Sequence, residues 1–440
     1  MGEAGEQGST GYRRSADNVV LIAIDTLAAK HLGFMGYERD TSPFLDEFAS
    51  RCVVFDRAYS ARATTLPSFT SLLSGYHPLN HGVLENGVVL PDSLHLLTED
   101  FRDAGFSTWG IPAARLIGAQ FGVDRGFDYY ANTPATAHPG SRIIERLRRI
   151  LAGSPSLGEP SYSATTAPLF LFIHFYDPHT DYTPDPSNLA LFADPRYNGP
   201  VDGSAELFLK YNEYEAELDK ADLRHVCDLY DAEIRTLDDS LRELFKLLEE
   251  AGLMESSVIV FTADHGENLG EHHYITHGPP YEAGLHIPLM FHFPGDYGAG
   301  KHIDALVENT DTVPTLLEIF NIPAPDGIDG QSLLPLIDDP SGDAKGTRDC
   351  LVAVGGVMSD GVREVSVFDG TYRLTVQTTP CLYHITADPH ETENVVSRFP
   401  DIRNELIKVV ELTAEGSGSL ETPMRDAETM ELLKSLGYFH

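Results

Sequence analysis

Three short apolar runs punctuate the chain. Residues 18–24 (NVVLIAI), 168–175 (PLFLFIHF) and 257–262 (SVIVFT) are continuous rather than alternating, and rich in β-branched or aromatic side chains. That is the pattern of strands buried on both faces of a parallel sheet. Each run stops at acid or imidazole: Asp25 after the first, Asp177 and His179 after the second, Asp264 and His265 after the third. In open α/β sheets the ligand crevice lies at the carboxyl ends of the strands, so the repetition marks a site. Helical periodicity occupies 42–49, 66–74, 93–104 and a long stretch from 219 to 251 that closes on a glycine. Strands alternating with helices predict an α/β fold whose mainly parallel sheet is sandwiched by helices.

The rhythm breaks twice. Residues 132–167 carry Pro, Gly and Ser clusters around a basic amphipathic piece, IIERLRRIL, and read as a surface insertion. After about residue 325 the texture changes. LVAVGGV, REVSVFDG and YRLTVQTTPCLYHI alternate as strands of an antiparallel sheet do. The division expected is a leader over 1–17, a catalytic domain over 18–325 and a smaller C-terminal α+β subdomain over 326–440. The subdomain closes with helical pieces near 400–414 and 426–436. No internal repeat is visible.

Composition narrows the class. The 440 residues are 42% apolar with a single Trp, ordinary for a globular protein. No apolar run approaches the roughly 18 residues that span a bilayer, and the leader has no apolar segment of signal-peptide length. The expectation is therefore a cytoplasmic protein without a membrane span. Sixty-seven acidic against 31 basic residues give a net charge of −36, spread along the chain. Such a surface excludes nucleic acid as a partner and suits a protein that stays soluble at high salt. The four cysteines, Cys52, Cys227, Cys350 and Cys381, show no CxxC spacing and are expected to be free and mostly buried.

Asp25, Asp264 and His265 make a hard oxygen and nitrogen ligand set suited to a divalent cation. Each alone could be a helix cap or a loop acid, and their placement at three strand ends favours the cation. The stretch TTLPSFTSLLSG, residues 64–75, puts Thr65 at the start of a predicted helix. It is either a cap or a nucleophile. The two roles are compatible, because helix N-termini favour phosphate or sulfate.

With these residues in place the chain resembles the sulfatase branch of the alkaline phosphatase superfamily from about 18 to 435. The resemblance rests on NVVLIAIDTLAAKHLGFMGYERDTSPFLDEFA, AYSARATTLPSFTSLLSGYHPLNHGV, DRGFDYY, FIHFYDPHTDYTP, YDAEIRTLDDSLRELFKLL, VIVFTADHGENLGEH, THGPPYEAGLHIPLMF and LYHITADPHETENV, in that order. It implies a metal-assisted hydrolase of sulfate or phosphate esters, small or glycan-linked. Asp25, Thr65, Asp264 and His265 would hold the cation (Mn²⁺, Mg²⁺, Ca²⁺ or Zn²⁺), with Thr65 at the nucleophile position. His179 and His277 would handle the ester oxygens, the leaving group or, with Asp177, a second metal. Asn86 would contact the developing oxyanion.

Departures from the family pattern shift the expected chemistry. The signature has Cys or Ser, oxidised to formylglycine, where this chain has Thr65. A threonine would oxidise to a ketone, so no formylglycine is expected. Phe69 stands where the signature has arginine, Thr26 where a second aspartate is usual, and Ala28 where an arginine often follows. AARLIGAQFG replaces a Lys-Trp-His motif and leaves Arg115 as its only obvious cation, and His277 replaces a lysine. Threonine is the nucleophile of phosphorus-attacking relatives in the superfamily. Cleavage of phosphodiesters, phosphomonoesters or phosphonates is therefore expected over sulfate esters. The alternatives are a true sulfuric ester hydrolase and a catalytically silent relative that binds an anion or glycan.

Overall fold

The computed structural model describes residues 16–131, 140–163, 167–339, 346, 348–357, 363–377 and 379–416. The leader up to residue 15 and the helical piece expected near 426–436 lie outside them. In chain order the strands are β1 (Asn18–Ile24), β2 (Val53–Tyr59), β3 (Ser107–Ile111), β4 (Tyr129–Tyr130), β5 (Leu169–Phe175), β6 (Ser257–Ala263), β7 (Asn268–Leu269) and β8 (Ile275–Thr276). There follow β9 (His286–His292), β10 (Lys301–Ile303), β11 (Val307–Glu308), β12 (Leu351–Val357), β13 (Arg363–Phe368), β14 (Tyr372–Val376) and β15 (Cys381–His384).

Among the described residues, nine strands form one sheet in the order β10-β2-β9-β6-β1-β5-β3-β4, with β11 also on β2. The three apolar runs are its centre: β1 lies between β5 and β6 and is parallel to both. Every residue of these three strands is buried, which requires cover on both faces. The sheet is mainly parallel, as predicted, and only β9 runs against its neighbours β2 and β6. Neither β2 nor β9 itself had a clear signal. β2 carries Asp56 and Arg57 mid-strand, and β9 contains Pro288 between two histidines.

The long helix, Lys220–Glu250, begins in a reciprocal cap in which Asp219 accepts from Ala221 and Asp222 while Asp222 reaches back to the Asp219 N–H. Three other helices, Pro43–Ala49, Gly140–Leu151 and Pro186–Phe192, pack against it. The basic piece within 132–167 is thus a helix whose Ile143, Ile144, Leu147 and Ile150 are buried. The helix expected over 93–104 starts only at Leu97. Residues before it turn from Pro91, and the Glu99 carboxylate takes the Leu96 N–H at 3.0 Å. The cysteines are free, but only Cys52 is buried and the other three are intermediate, a correction to the expectation.

β12 to β15 form the predicted antiparallel sheet, in sequential order. Val367, Leu374 and Leu382 make a small core of their own with Val395 and Leu406, the latter from the helix Pro400–Gly416. A second apolar cluster fastens this unit to the main sheet, joining Tyr59 and Leu285 to Leu351, Phe368 and Tyr383. The buried Arg373 of β14 pairs with Glu282 at 2.6 Å in the same seam. β12 also reaches the loop before Thr65, where Val354 N–H donates to Ala61 O at 3.0 Å.

One helix start depends on another helix. Ser42 precedes Pro43–Ala49 without capping it, and the buried Asp238 of the long helix instead accepts from Phe44 N–H (2.8 Å) and Leu45 N–H (2.9 Å). Asp238→Ala strands both donors and is expected to cost about 1–2 kcal/mol. Urea unfolding checks this, and an unchanged midpoint refutes it.

Candidate active site

Strand register builds the site. Ile24 of β1 is level with Phe175 of β5 and Ala263 of β6. Asp25 N–H continues the ladder to Phe175 O at 2.9 Å, and Asp264 N–H continues it to Ile24 O at 3.1 Å. Asp25 and Asp264 therefore leave adjacent strands at the same level and on the same face. His174, level with Ala23, projects from that face as well, because side chains two apart along a strand share a side.

The turn after β1 is pinned from the long helix. Tyr230 OH donates to Thr26 O at 2.6 Å and accepts from Ala28 N–H at 2.9 Å. Thr26 has φ of 56°, an uncommon conformation for a β-branched residue. There its N–H, not its side chain, serves the site by donating to Asp264 Oδ1 at 3.1 Å. His265 N–H donates to the same oxygen at 2.7 Å.

Asp25, Asp264 and His265 are wholly buried, and one ligand atom from each lies within 4.8 Å of the others. His265 Nδ1 donates to Gly266 O at 2.9 Å, which leaves the Nε2 lone pair facing Asp264 Oδ2 at 3.4 Å and Asp25 Oδ1 at 4.0 Å. Both Asp25 oxygens, Asp264 Oδ2, His265 Nε2 and Thr65 Oγ1 are buried without a hydrogen-bond partner. Buried polar atoms are ordinarily satisfied. A converging set of oxygen and nitrogen lone pairs fits a divalent cation. Burial and the neighbouring Asp25 push the Asp264 carboxyl well above its usual range. Burial also opposes charge on Asp25, but the contact with His174 and the nearby His179 and His265 hold it below the usual range. Burial keeps His265 neutral, the form that binds a metal.

Thr65 is the first residue of the helix Thr65–Ser74. Neither threonine caps it. Thr64 Oγ1 accepts from Arg62 Nε at 3.0 Å, and the Leu66 N–H is taken by Asn86 Oδ1 at 2.8 Å. Ser68, on the first turn, donates from Oγ to Asp264 O at 2.5 Å and fastens this helix to the end of β6. Asn86 thus lies beside the start of this helix, with its Oδ1 committed to capping and its Nδ2 buried and unpartnered. Phe69 lies wholly in the core, edge-on to His174 and Phe172.

His179 and His277 line a cavity of about 380 Å³ together with Arg62, Thr64, Glu85 and Tyr274. Their rings are 5.0 Å apart, and His277 lies 4.5 Å from His265. His179 Nδ1 donates to Thr180 O at 2.6 Å, and burial lowers its pKa. His277 Nδ1 is 2.9 Å from Glu267 Oε2. Asp177 acts on Glu233, whose carboxyl burial and Asp177 together raise to about 8. Arg115 is exposed, on a 3-10 turn that packs against the Thr65–Ser74 helix.

Three residues of the site escaped the motif reading. His174 is the only polar residue in PLFLFIHF, and an imidazole in a fully buried run was the available signal. Glu267 follows His265 by two and accepts from Tyr182 OH at 2.8 Å as well as facing His277. Arg62, 1% exposed, donates to Thr64, to Val354 O and to Glu85.

Comparison with known proteins bears on family and fold. The family model described as Sulfatase matches residues 17–322. An ulvan-active sulfatase of Formosa agariphila is 25% identical over 428 residues, covering 88% of this chain and 79% of that protein. The multifunctional alkaline phosphatase superfamily protein PehA of Trinickia caryophylli is 25% identical, covering 73% and 77%. Among solved structures, a phosphonate monoester hydrolase of Agrobacterium radiobacter superposes with a TM-score of 0.71 at 20% identity, covering 91% of this chain and 96% of that one. A protein in complex with its substrate D-glucosamine-2-N,6-O-disulfate superposes with a TM-score of 0.73 at 18% identity, covering 91% and 98%.

The electrostatic conflict at the strand ends is testable. The raised Asp264 carboxyl ties stability to its proton, fully present below the ordinary value of 3.8 and lost as pH rises through the folded value. Asp264→Asn keeps the Oδ1 acceptor and removes one buried charge. Without metal it is expected to be more stable than the parent at neutral pH by about 0.5–2 kcal/mol, a common gain from relieving a functional site. It should also lose the stabilisation the parent gains from added Mn²⁺. Thermal unfolding with and without the ion reads both effects. A variant less stable than the parent without metal would contradict the account.

Proposed function

The chain belongs to the sulfatase family of the alkaline phosphatase superfamily and is a hydrolase of phosphoric or sulfuric esters, and from that premise we propose that it cleaves phosphorus esters with Thr65 as nucleophile. One observation carries this reading. The Thr65 hydroxyl is buried at a helix start and makes no hydrogen bond, while Asn86 supplies the cap of that helix. A cation held by Asp25, Asp264, His265 and Thr65 would supply charge neutralisation for the ester and a lower pKa for the hydroxyl.

The remaining steps belong to the chain. Attack by Thr65 Oγ on phosphorus forms a phosphothreonine and expels the alcohol. His277 is oriented by Glu267 through Nδ1 and suits protonation of the leaving oxygen. His179, kept neutral by burial, suits acceptance of a proton. Water then releases the phosphoryl group. The buried, unpartnered Asn86 Nδ2 favours an anion beside Thr65.

Phosphorus is favoured over sulfur for two reasons rooted in this sequence. A threonine cannot become formylglycine. Phe69 supplies packing where the family signature has a guanidinium for the anion. A sulfuric ester hydrolase is the second reading, supported by similarity to the ulvan-active sulfatase. Turnover of nitrophenyl phosphate, bis-nitrophenyl phosphate, nitrophenyl sulfate and a phosphonate monoester, each with Mn²⁺, Mg²⁺, Ca²⁺ or Zn²⁺, separates them. Thr65→Ala is expected to lower kcat by about 10³-fold or more on the best substrate, as loss of a nucleophile does, while Thr65→Ser retains measurable turnover. Full activity of the alanine variant on every ester would overturn the assignment.

A further inference from the structure

His174 has no part in the steps above, yet it is wholly buried on the face that carries Asp25. Its environment fixes where its proton sits. The Ala113 N–H points at His174 Nδ1 at 3.2 Å. A backbone N–H can only donate, so Nδ1 holds the lone pair and the neutral ring carries its hydrogen on Nε2. Nε2 lies 3.6 Å from Asp25 Oδ2, and neither atom has another hydrogen-bond partner. The separation is longer than an ordinary N–H···O bond. Rotation about the terminal torsion of an aspartate is soft, and closing the gap requires the carboxylate to turn toward the ring.

The two oxygens of Asp25 are thereby given different work. Oδ1 faces His265 Nε2 across the cation-binding space, and Oδ2 faces the imidazole donor. The imidazole plane is itself held, because Phe69 packs edge-on against it with centroids 4.9 Å apart at 88°. Phe172 also packs edge-on to Phe69, at 6.0 Å and 74°. Phe69 thus buttresses His174.

We propose that His174 is a positioning residue that holds Asp25 Oδ2 through its Nε2–H, so that Oδ1 is presented to the cation. His174 is not itself a ligand. Ligation would need the lone pair on Nε2, which moves the proton to Nδ1 and sets it against the Ala113 N–H. The inference rests on the metal site proposed above, and it follows the general pattern in which outer hydrogen bonds orient ligating side chains.

The test measures metal binding rather than turnover. Mn²⁺ is titrated calorimetrically into the full chain and into His174→Leu, His174→Gln and His174→Phe. Glutamine keeps an N–H donor at the reach of Nε2, and leucine and phenylalanine remove it. The expected result is a Kd for Mn²⁺ weaker by about 10–100-fold in the leucine variant, the usual size for such partners, with most of the affinity restored by glutamine. Phenylalanine, closer in volume to the imidazole, carries the same expectation if the leucine variant fails to fold by circular dichroism. Pulsed EPR of bound Mn²⁺ should count the same number of histidine nitrogens in the parent and in His174→Gln. Unchanged affinity in the donorless variants overturns the inference and leaves the metal site standing. Loss of one nitrogen signal in the glutamine variant overturns it by making His174 a ligand. A parent chain that takes up no Mn²⁺ removes both the site and the inference.

Discussion

Two carboxylates, Asp25 and Asp264, are held side by side in the interior because parallel register leaves them no alternative. β1 and β6 end level with one another, so the next residue of each strand emerges on the same face of the sheet. Both side chains are wholly buried, where like charges interact far more strongly than in water. Among the described residues no arginine or lysine pairs with either carboxylate. The fold supplies backbone N–H groups to one oxygen of Asp264 and leaves the others bare. An arrangement costly in isolation becomes favourable once a cation enters, and so the scaffold must be stable enough elsewhere to carry it. The fully buried central strands and the capped long helix supply that reserve.

The helix that bears Thr65 follows the same logic. Its first N–H groups would ordinarily be satisfied by the hydroxyl at the cap position. Here Asn86 reaches in from a separate loop to take the Leu66 N–H, and Arg62 occupies the Thr64 hydroxyl. The cap is outsourced, and the Thr65 oxygen is left unused by structure. Ser68 ties the same turn to the backbone at Asp264, so Thr65 and Asp264 are fixed near each other by one hydrogen bond.

Much of this was legible in the sequence, for identifiable reasons. The three central strands were readable because burial on both faces leaves uninterrupted apolar runs, and the acids that follow them mark the crevice. The long helix and the C-terminal antiparallel strands were readable from their periods. What could not be read depended on distant contacts. β2 and β9 are interrupted by Asp56, Arg57 and Pro288, and pairing with each other, of β2 with β10 and β11, and of β9 with β6 makes them strands. Asn86 was picked out as an oxyanion contact, but its capping role needs the loop geometry. His174 was visible as a lone imidazole in an apolar run, and its meaning appears only when Ala23 is placed level with it. Arg115 shows the converse: a motif position selected it as the spare cation, and the chain leaves it exposed on a turn.

The rim of the cavity is built differently from its floor. Arg62, Glu85 and the backbone of β12 meet there, and Arg363 of β13 binds the other oxygen of Glu85. Burial lowers the Arg62 guanidinium only to about 10, so it stays cationic at neutral pH, yet its donors are already engaged by Thr64, Glu85 and Val354. Charges at the rim are therefore largely matched with one another, and a bound anion would be neutralised by a cation held at the strand-end cluster rather than by the rim. Groups that pair with each other can still exchange hydrogen bonds with a polar leaving group. The loop before Thr65 and the C-terminal sheet together shape this rim. Val354 N–H to Ala61 O, and Arg62 to Val354 O, lock those two parts together within four residues of Thr65.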